Sequence, residues 1–177
     1  MKKRCAWALD DPLLTVYHDE EWGKKVNGDV PLFELLTLEL FQTGLSWRTI
    51  LHKREAFREA FQGFTIEKVA QFEEEKIEEL VHNQGIVRHR GKINATIHNA
   101  KVALELIQEW GSLNAYIENL PDLLEDKQKQ LRKTFKHVGP SVSESFLIAA
   151  GFIPTPHDES CFMAKKTNEM SGKARTI

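Results

Sequence analysis

Apolar residues recur along most of this chain at intervals of three and four, the period of helices rather than strands. Asp29-Val30-Pro31 marks a helix start, with proline in the first turn, where its missing N–H costs nothing. The segment that follows, PLFELLTLELFQTG, is apolar on most of its circumference and predicts a central, buried helix ended at Gly44. Glu34 lies near its start, where the helix dipole favours a carboxylate. Glu39 lies deeper, between Leu38 and Leu40, where an ionised carboxylate is expensive unless it has a partner or a task.

Ser46 predicts a cap for a helix over SWRTILHKREAFREAF. Thr65 opens a short helix through Phe72, and another runs through Val81. A long helix is predicted from Arg88 to Trp110, with Ile93, Ile97, Ala100, Leu104 and Ile107 on one face and Gly111 as its stop. Short helices follow near Ala115–Leu120 and Leu123–Lys136. Ser141 and Glu144 read as a capping box for the last apolar helix. No strand alternation of useful length occurs, so the fold class is all-α. The length fits one domain, or two closely joined helical lobes, over residues 1–164. Residues 165–177 lack an apolar period and read as a disordered tail.

Composition narrows the function classes. With 41% apolar residues, 177 residues can bury a real core, and no apolar run is long enough to span a membrane. Asp10 and Asp11 interrupt any signal-peptide core, so a cytoplasmic protein is expected. The net charge of −2 conceals two basic runs free of acid. One, residues 84–101, holds Arg88, Arg90, Lys92 and Lys101; the other, residues 127–137, holds Lys127, Lys129, Arg132, Lys133 and Lys136. Two such blocks in an acidic protein point towards a polyanion.

Three constellations carry candidate chemistry. Cys5 and His18 lie near the start, His157 and Cys161 near the end, and these are the only two cysteines. The set admits one tetrahedral metal site, a Cys5–Cys161 disulfide, or unrelated residues; a metal would bring the two ends of the chain together. Trp7, Tyr17, Trp22 and Trp47 crowd the first quarter, and periodicity alone does not separate a pocket for a planar ligand from core packing. The turn Val138-Gly139-Pro140-Ser141 opens a helix whose free N–H groups attract phosphate, although the same turn also serves as an ordinary packing corner.

The blocks RCAW, YHDEEWG, LELFQTGLSW, GIVRHRGKI and FKHVGPSVSESFLIAAG, in this order, resemble the 3-methyladenine DNA glycosylase I family across roughly residues 4–161. The resemblance implies a two-lobed helix-hairpin-helix glycosylase fold. It implies a structural Zn²⁺ on Cys5, His18, His157 and Cys161 that clasps the two ends. Glu39 becomes the base-contacting carboxylate. Tyr17 and Trp47 contact and stack on the extruded base, and Trp7 and Trp22 complete an aromatic wall. Leu45 faces the gap in the duplex, while Val138, Gly139, Pro140 and Ser141 grip the DNA backbone. The implied partner is double-stranded alkylated DNA, acted on by a monomer at the nucleoid, without protein partners and without strand cleavage. A second reading, a non-catalytic damage-binding protein on the same scaffold, is motivated by Leu14, where the family commonly has tyrosine.

Overall fold

The computed structural model describes residues 1–164, so the tail expected at 165–177 lies outside the described residues. Ten α-helices and two 3₁₀ turns make up the described part, with no strand among its elements. The helices are α1 (Pro12–Glu20), α2 (Asp29–Gln42), α3 (Trp47–His52), α4 (Arg54–Ala60), α5 (Ile66–Ala70), α6 (Glu74–Val81), α7 (Arg90–Trp110), α8 (Leu113–Glu118), α9 (Leu124–Thr134) and α10 (Pro140–Ala149). No helix among the described residues is long and apolar enough to cross a membrane. The described residues divide into two compact units, one formed by Met1–Lys25 with the residues from Leu147 onward, the other by Val26–Phe146.

The first unit brings the chain ends together. Gly23 N–H donates to Ala149 O at 3.1 Å and Phe162 N–H to Lys3 O at 2.9 Å. Gly151, at φ +79°, lies so close to Lys25 that a Cβ there would come within 2.6 Å of its backbone nitrogen. A side chain at 151 therefore has no room, which makes glycine a requirement of this closure. Helix α1 was not among the expected elements, although Asp11 caps it by accepting from Leu13 N–H and Pro12 opens it.

The second unit is built around α2. Leu32, Phe33, Leu36, Leu38, Leu40 and Phe41 are all buried, so this helix is covered around its whole circumference as its sequence predicts. Phe41 packs on Phe57 with ring centroids 4.9 Å apart, and Phe61 stacks on Phe64 at 5.6 Å. Each such ring, fully buried, contributes on the order of 2 kcal/mol. The long α7 packs against α2, α5, α6 and α8, and Gly111 ends it in the left-handed conformation at φ +89°.

Several local expectations are corrected. The segment from Ser46 to Phe61 is two helices, because the backbone at Lys53 turns to φ −93° and ψ −2° and the residue both ends α3 and precedes α4. The last helix opens at Pro140, one residue before the expected Ser141 cap, since proline's fixed φ suits the first helical position. Glu34 is not simply wet: Arg58 Nε donates to it at 2.8 Å. The basic run 84–101 is also less free than it reads. Arg90 pairs with Glu74 and Glu78 of α6, and Lys92 is buried.

Candidate functional site

In the first unit, Cys5, His18, His157 and Cys161 place one ligand atom each within 4.8 Å of all the others, a group that could hold a metal ion. Cys5 Sγ is 3.5 Å from His157 Nδ1, and Cys161 Sγ is 3.5 Å from His18 Nε2 and 3.7 Å from His157 Nδ1. Both cysteines are free thiols, so the disulfide alternative is not realised. Surrounding groups orient the donors. Asp19 Oδ1 lies 2.8 Å from His18 Nδ1, which leaves Nε2 for the cluster, and Arg4 grips the same carboxylate. That guanidinium, with His18, holds the Asp19 carboxyl below its usual range. Backbone N–H groups of Asp158 and Met163 donate to the sulfurs of Cys5 and Cys161. Burial pushes the Cys5 thiol up to about 11, while burial and then His18 lower His157.

The aromatics of this unit enclose the cluster. Trp7 stands edge-on to His18 at 5.3 Å and to Trp22 at 5.0 Å, and Trp22 stands edge-on to His157 at 5.0 Å. Tyr17 is buried on α1 beside His18, 6.4 Å from Trp7. The structure thus gives Trp7 and Trp22 a packing task around the histidines that spacing did not reveal.

In the second unit, Glu39 is 6% exposed and has no hydrogen-bond or ion-pair partner among the described residues. Burial alone pushes its carboxyl up to about 8. Nothing among the described residues compensates this group. Three residues further, α2 ends and the chain turns at Gly44, φ +81°. Leu45 follows, 38% exposed, yet held from both sides: its N–H donates to Gln42 O at 2.8 Å and its O accepts from Gln42 Nε2 at 2.8 Å. Ser46 then caps α3, accepting from Thr49 N–H at 3.1 Å, and Trp47 begins that helix half-buried. An apolar side chain presented to solvent on a braced loop has no role in the core.

The hairpin between α9 and α10 holds the other expected contact residues. Its left-handed residue is His137, φ +55°, and not Gly139, at which an added Cβ would meet nothing within 4 Å. The fold itself therefore does not demand glycine at 139. Val138 is buried, whereas Pro140 and Ser141 lie at the surface end of α10. A groove joins this hairpin to the α2–α3 loop, lined among others by Thr43, Gly44, Lys92, His137, Gly139 and Ser141.

Two residues of this unit have positioning roles that the sequence reading did not give them. Asn99, 2% exposed, donates to Lys136 O at 3.0 Å and accepts from Lys136 N–H at 2.8 Å, clamping the hairpin to α7. Lys92 reaches the end of α2. The signal was present: Lys92, Thr96, Asn99 and Ala103 recur at helical spacing on a face that is entirely buried. Asn99→Ala is expected to cost about 1–3 kcal/mol, because both Lys136 backbone groups lose their partner. Thermal unfolding, together with weaker duplex binding, checks it.

The chain matches the family model described as methyladenine glycosylase over residues 7–132. It is 39% identical to DNA-3-methyladenine glycosylase 1 of Escherichia coli (strain K12), across 85% of this chain and 91% of that one. A crystal structure of 3-methyladenine DNA glycosylase I superposes with a TM-score of 0.83 at 36% identity, covering 90% of this chain and 98% of that chain. A variant of 3-methyladenine DNA glycosylase I in complex with 3-methyladenine gives a TM-score of 0.77 at 36% identity, covering 84% and 90%.

Proposed function

Since the chain belongs to the methyladenine glycosylase family, we propose that it hydrolyses the N-glycosidic bond of 3-methyladenine in alkylated DNA. The observation that carries this reading is Glu39, a buried carboxyl for which the fold supplies no partner. Such a group is costly, and a planar cation brought to it would supply the missing charge. Methylation at the ring nitrogen makes adenine that cation and weakens its bond to the sugar, so the leaving group needs no proton.

The duplex must first yield the base, at a few kcal/mol of unstacking. Leu45 on its braced loop occupies the gap, and Val138, Gly139, Pro140 and Ser141 hold the backbone; the open surface over Gly139 lets a phosphate approach main-chain N–H groups closely. Glu39 accepts hydrogen bonds from the extruded base. Trp47 stacks on it, a cation–π contact worth about 0.5–2 kcal/mol. Water adds to the oxocarbenium-like sugar, the C–N electron pair leaves with the neutral base, and the water's proton passes to solvent. No lysine acts as nucleophile, so the strand is left intact. The protein works as a monomer at the nucleoid.

The metal proposed at the Cys5–His18–His157–Cys161 cluster is Zn²⁺. Tetrahedral Zn–S and Zn–N bonds place sulfur and nitrogen about 3.6 Å apart, and the observed separations are 3.5–3.7 Å. Four protein donors leave no open position, so the ion ties the helical fold's two chain ends without taking part in the reaction.

Chromatography of bases released from methylated duplex DNA tests the function. Released 3-methyladenine is expected; duplex binding with no released base would favour the damage-binding alternative. The reaction should also depend on pH. Glu39 in the free protein is protonated below about 8, and a cationic base favours the ionised form. kcat/KM is therefore expected to rise with pH up to about 8 and then level off, with the slope absent in Glu39→Gln.

A further inference from the structure

Lys92 is 8% exposed, unusual burial for a lysine that no carboxylate accompanies. Its Nζ donates to Phe41 O at 3.1 Å and to Thr43 O at 2.8 Å. Phe41 lies in the last turn of α2 and Thr43 is its C-cap, so these carbonyls have no further helical turn to bond to. A cation there also complements the negative end of the helix dipole. The residues that follow at once are Gly44 and Leu45.

Gln42, the last residue of α2, braces Leu45 only against the helix that the loop leaves, so that pair ties the loop to no other element. Lys92 can, because it comes from α7, 49 residues beyond Thr43 in sequence. The same helix clamps the hairpin through Asn99, so one rigid element holds both borders of the groove. A nucleophilic role is ill suited to a nitrogen committed to two carbonyl oxygens.

We propose that Lys92 is the positioning residue for base extrusion, anchoring the α2–α3 loop to α7 so that Leu45 meets the duplex as a rigid wedge. This rests on the base-excision reading given above. Misplacing a contact group by about 1 Å can cost around a hundredfold in rate.

The test is a double-mutant cycle on single-turnover release of 3-methyladenine from methylated duplex DNA, using wild type, Lys92→Met, Leu45→Ala and the double variant. Each single substitution is expected to slow release by about tenfold to a hundredfold. The double variant should be within about threefold of the slower single, because both remove one device. Affinity for free 3-methyladenine, read by tryptophan fluorescence, should stay within about twofold, since no wedge is needed there. Multiplying effects, an unchanged rate in Lys92→Met, or an equal loss of free-base affinity would each overturn the assignment. If Lys92→Met does not fold, Lys92→Gln, which retains an N–H donor, enters the same cycle. A wild type that releases no base would count against the base-excision reading and not against the anchoring of the loop.

Discussion

Glu39→Gln is expected to lose most base excision and at the same time to unfold at higher temperature than wild type. The two effects share one cause. In the folded chain burial holds the Glu39 carboxyl at about 8, against the ordinary carboxylate value near 4.5 in the unfolded chain. A folded pKa above the unfolded one means that stability is complete below about 4.5 and declines as pH rises towards 8, because only the unfolded chain releases the proton. At pH 7 the penalty is on the order of 3 kcal/mol. Glutamine fills nearly the same volume and carries no charge to desolvate, so it removes this penalty. It also offers an N–H where the base requires an acceptor. Calorimetry of both proteins at pH 5 and pH 8 checks the stability claim: the gap should widen at the higher pH. Equal melting temperatures at pH 8 would show that Glu39 is compensated.

The second large effect concerns the cluster that joins the chain ends. Cys161→Ser is expected to lose bound metal and, with it, the fold of the unit that Met1–Lys25 forms with the residues from Leu147 onward. Small zinc modules draw roughly 10 kcal/mol or more from the metal. The loss here should therefore exceed what removal of one buried thiol would cost. Besides the cluster, that unit fully buries few large apolar side chains, Leu14, Tyr17 and Leu147, and its indoles stand on the histidines themselves. Metal analysis of wild type should give one zinc per chain. Cys161→Ser should give little, with a large fall in melting temperature that a chelator reproduces in wild type. A wild type free of metal, with melting unaffected by chelator, would remove the clasp from this account.

Much of this was legible in the sequence, for identifiable reasons. The central burial of α2 followed from an apolar circumference, and the isolation of Glu39 from its place between Leu38 and Leu40. The gathering of Cys5, His18, His157 and Cys161 was open to three readings from spacing, and only the fold brings the four donors together. Other features depend on contacts distant in the chain. Arg90 looked like a free cation until Glu74 and Glu78 faced it. Periodicity left Trp7 and Trp22 open to a pocket or a packing role, and their edge-on packing on His18 and His157 is visible only once both chain ends are placed. In the turn before α10, His137 and not Gly139 takes the left-handed backbone, so the glycine marks open surface instead. Helix α1 was missed because nine residues carry too few turns for a clear period, even with Asp11 and Pro12 at its start.

The central claim is that a buried, partnerless carboxyl is kept at a cost to stability in order to receive a cationic base. Single-turnover release of 3-methyladenine from methylated duplex DNA, comparing wild type with Glu39→Gln at pH 8, tests it most directly. The account requires release by wild type and a loss of about a hundredfold or more in the variant, the scale of one buried charge-assisted contact. Equal release by the two proteins, with the variant folded, would contradict it.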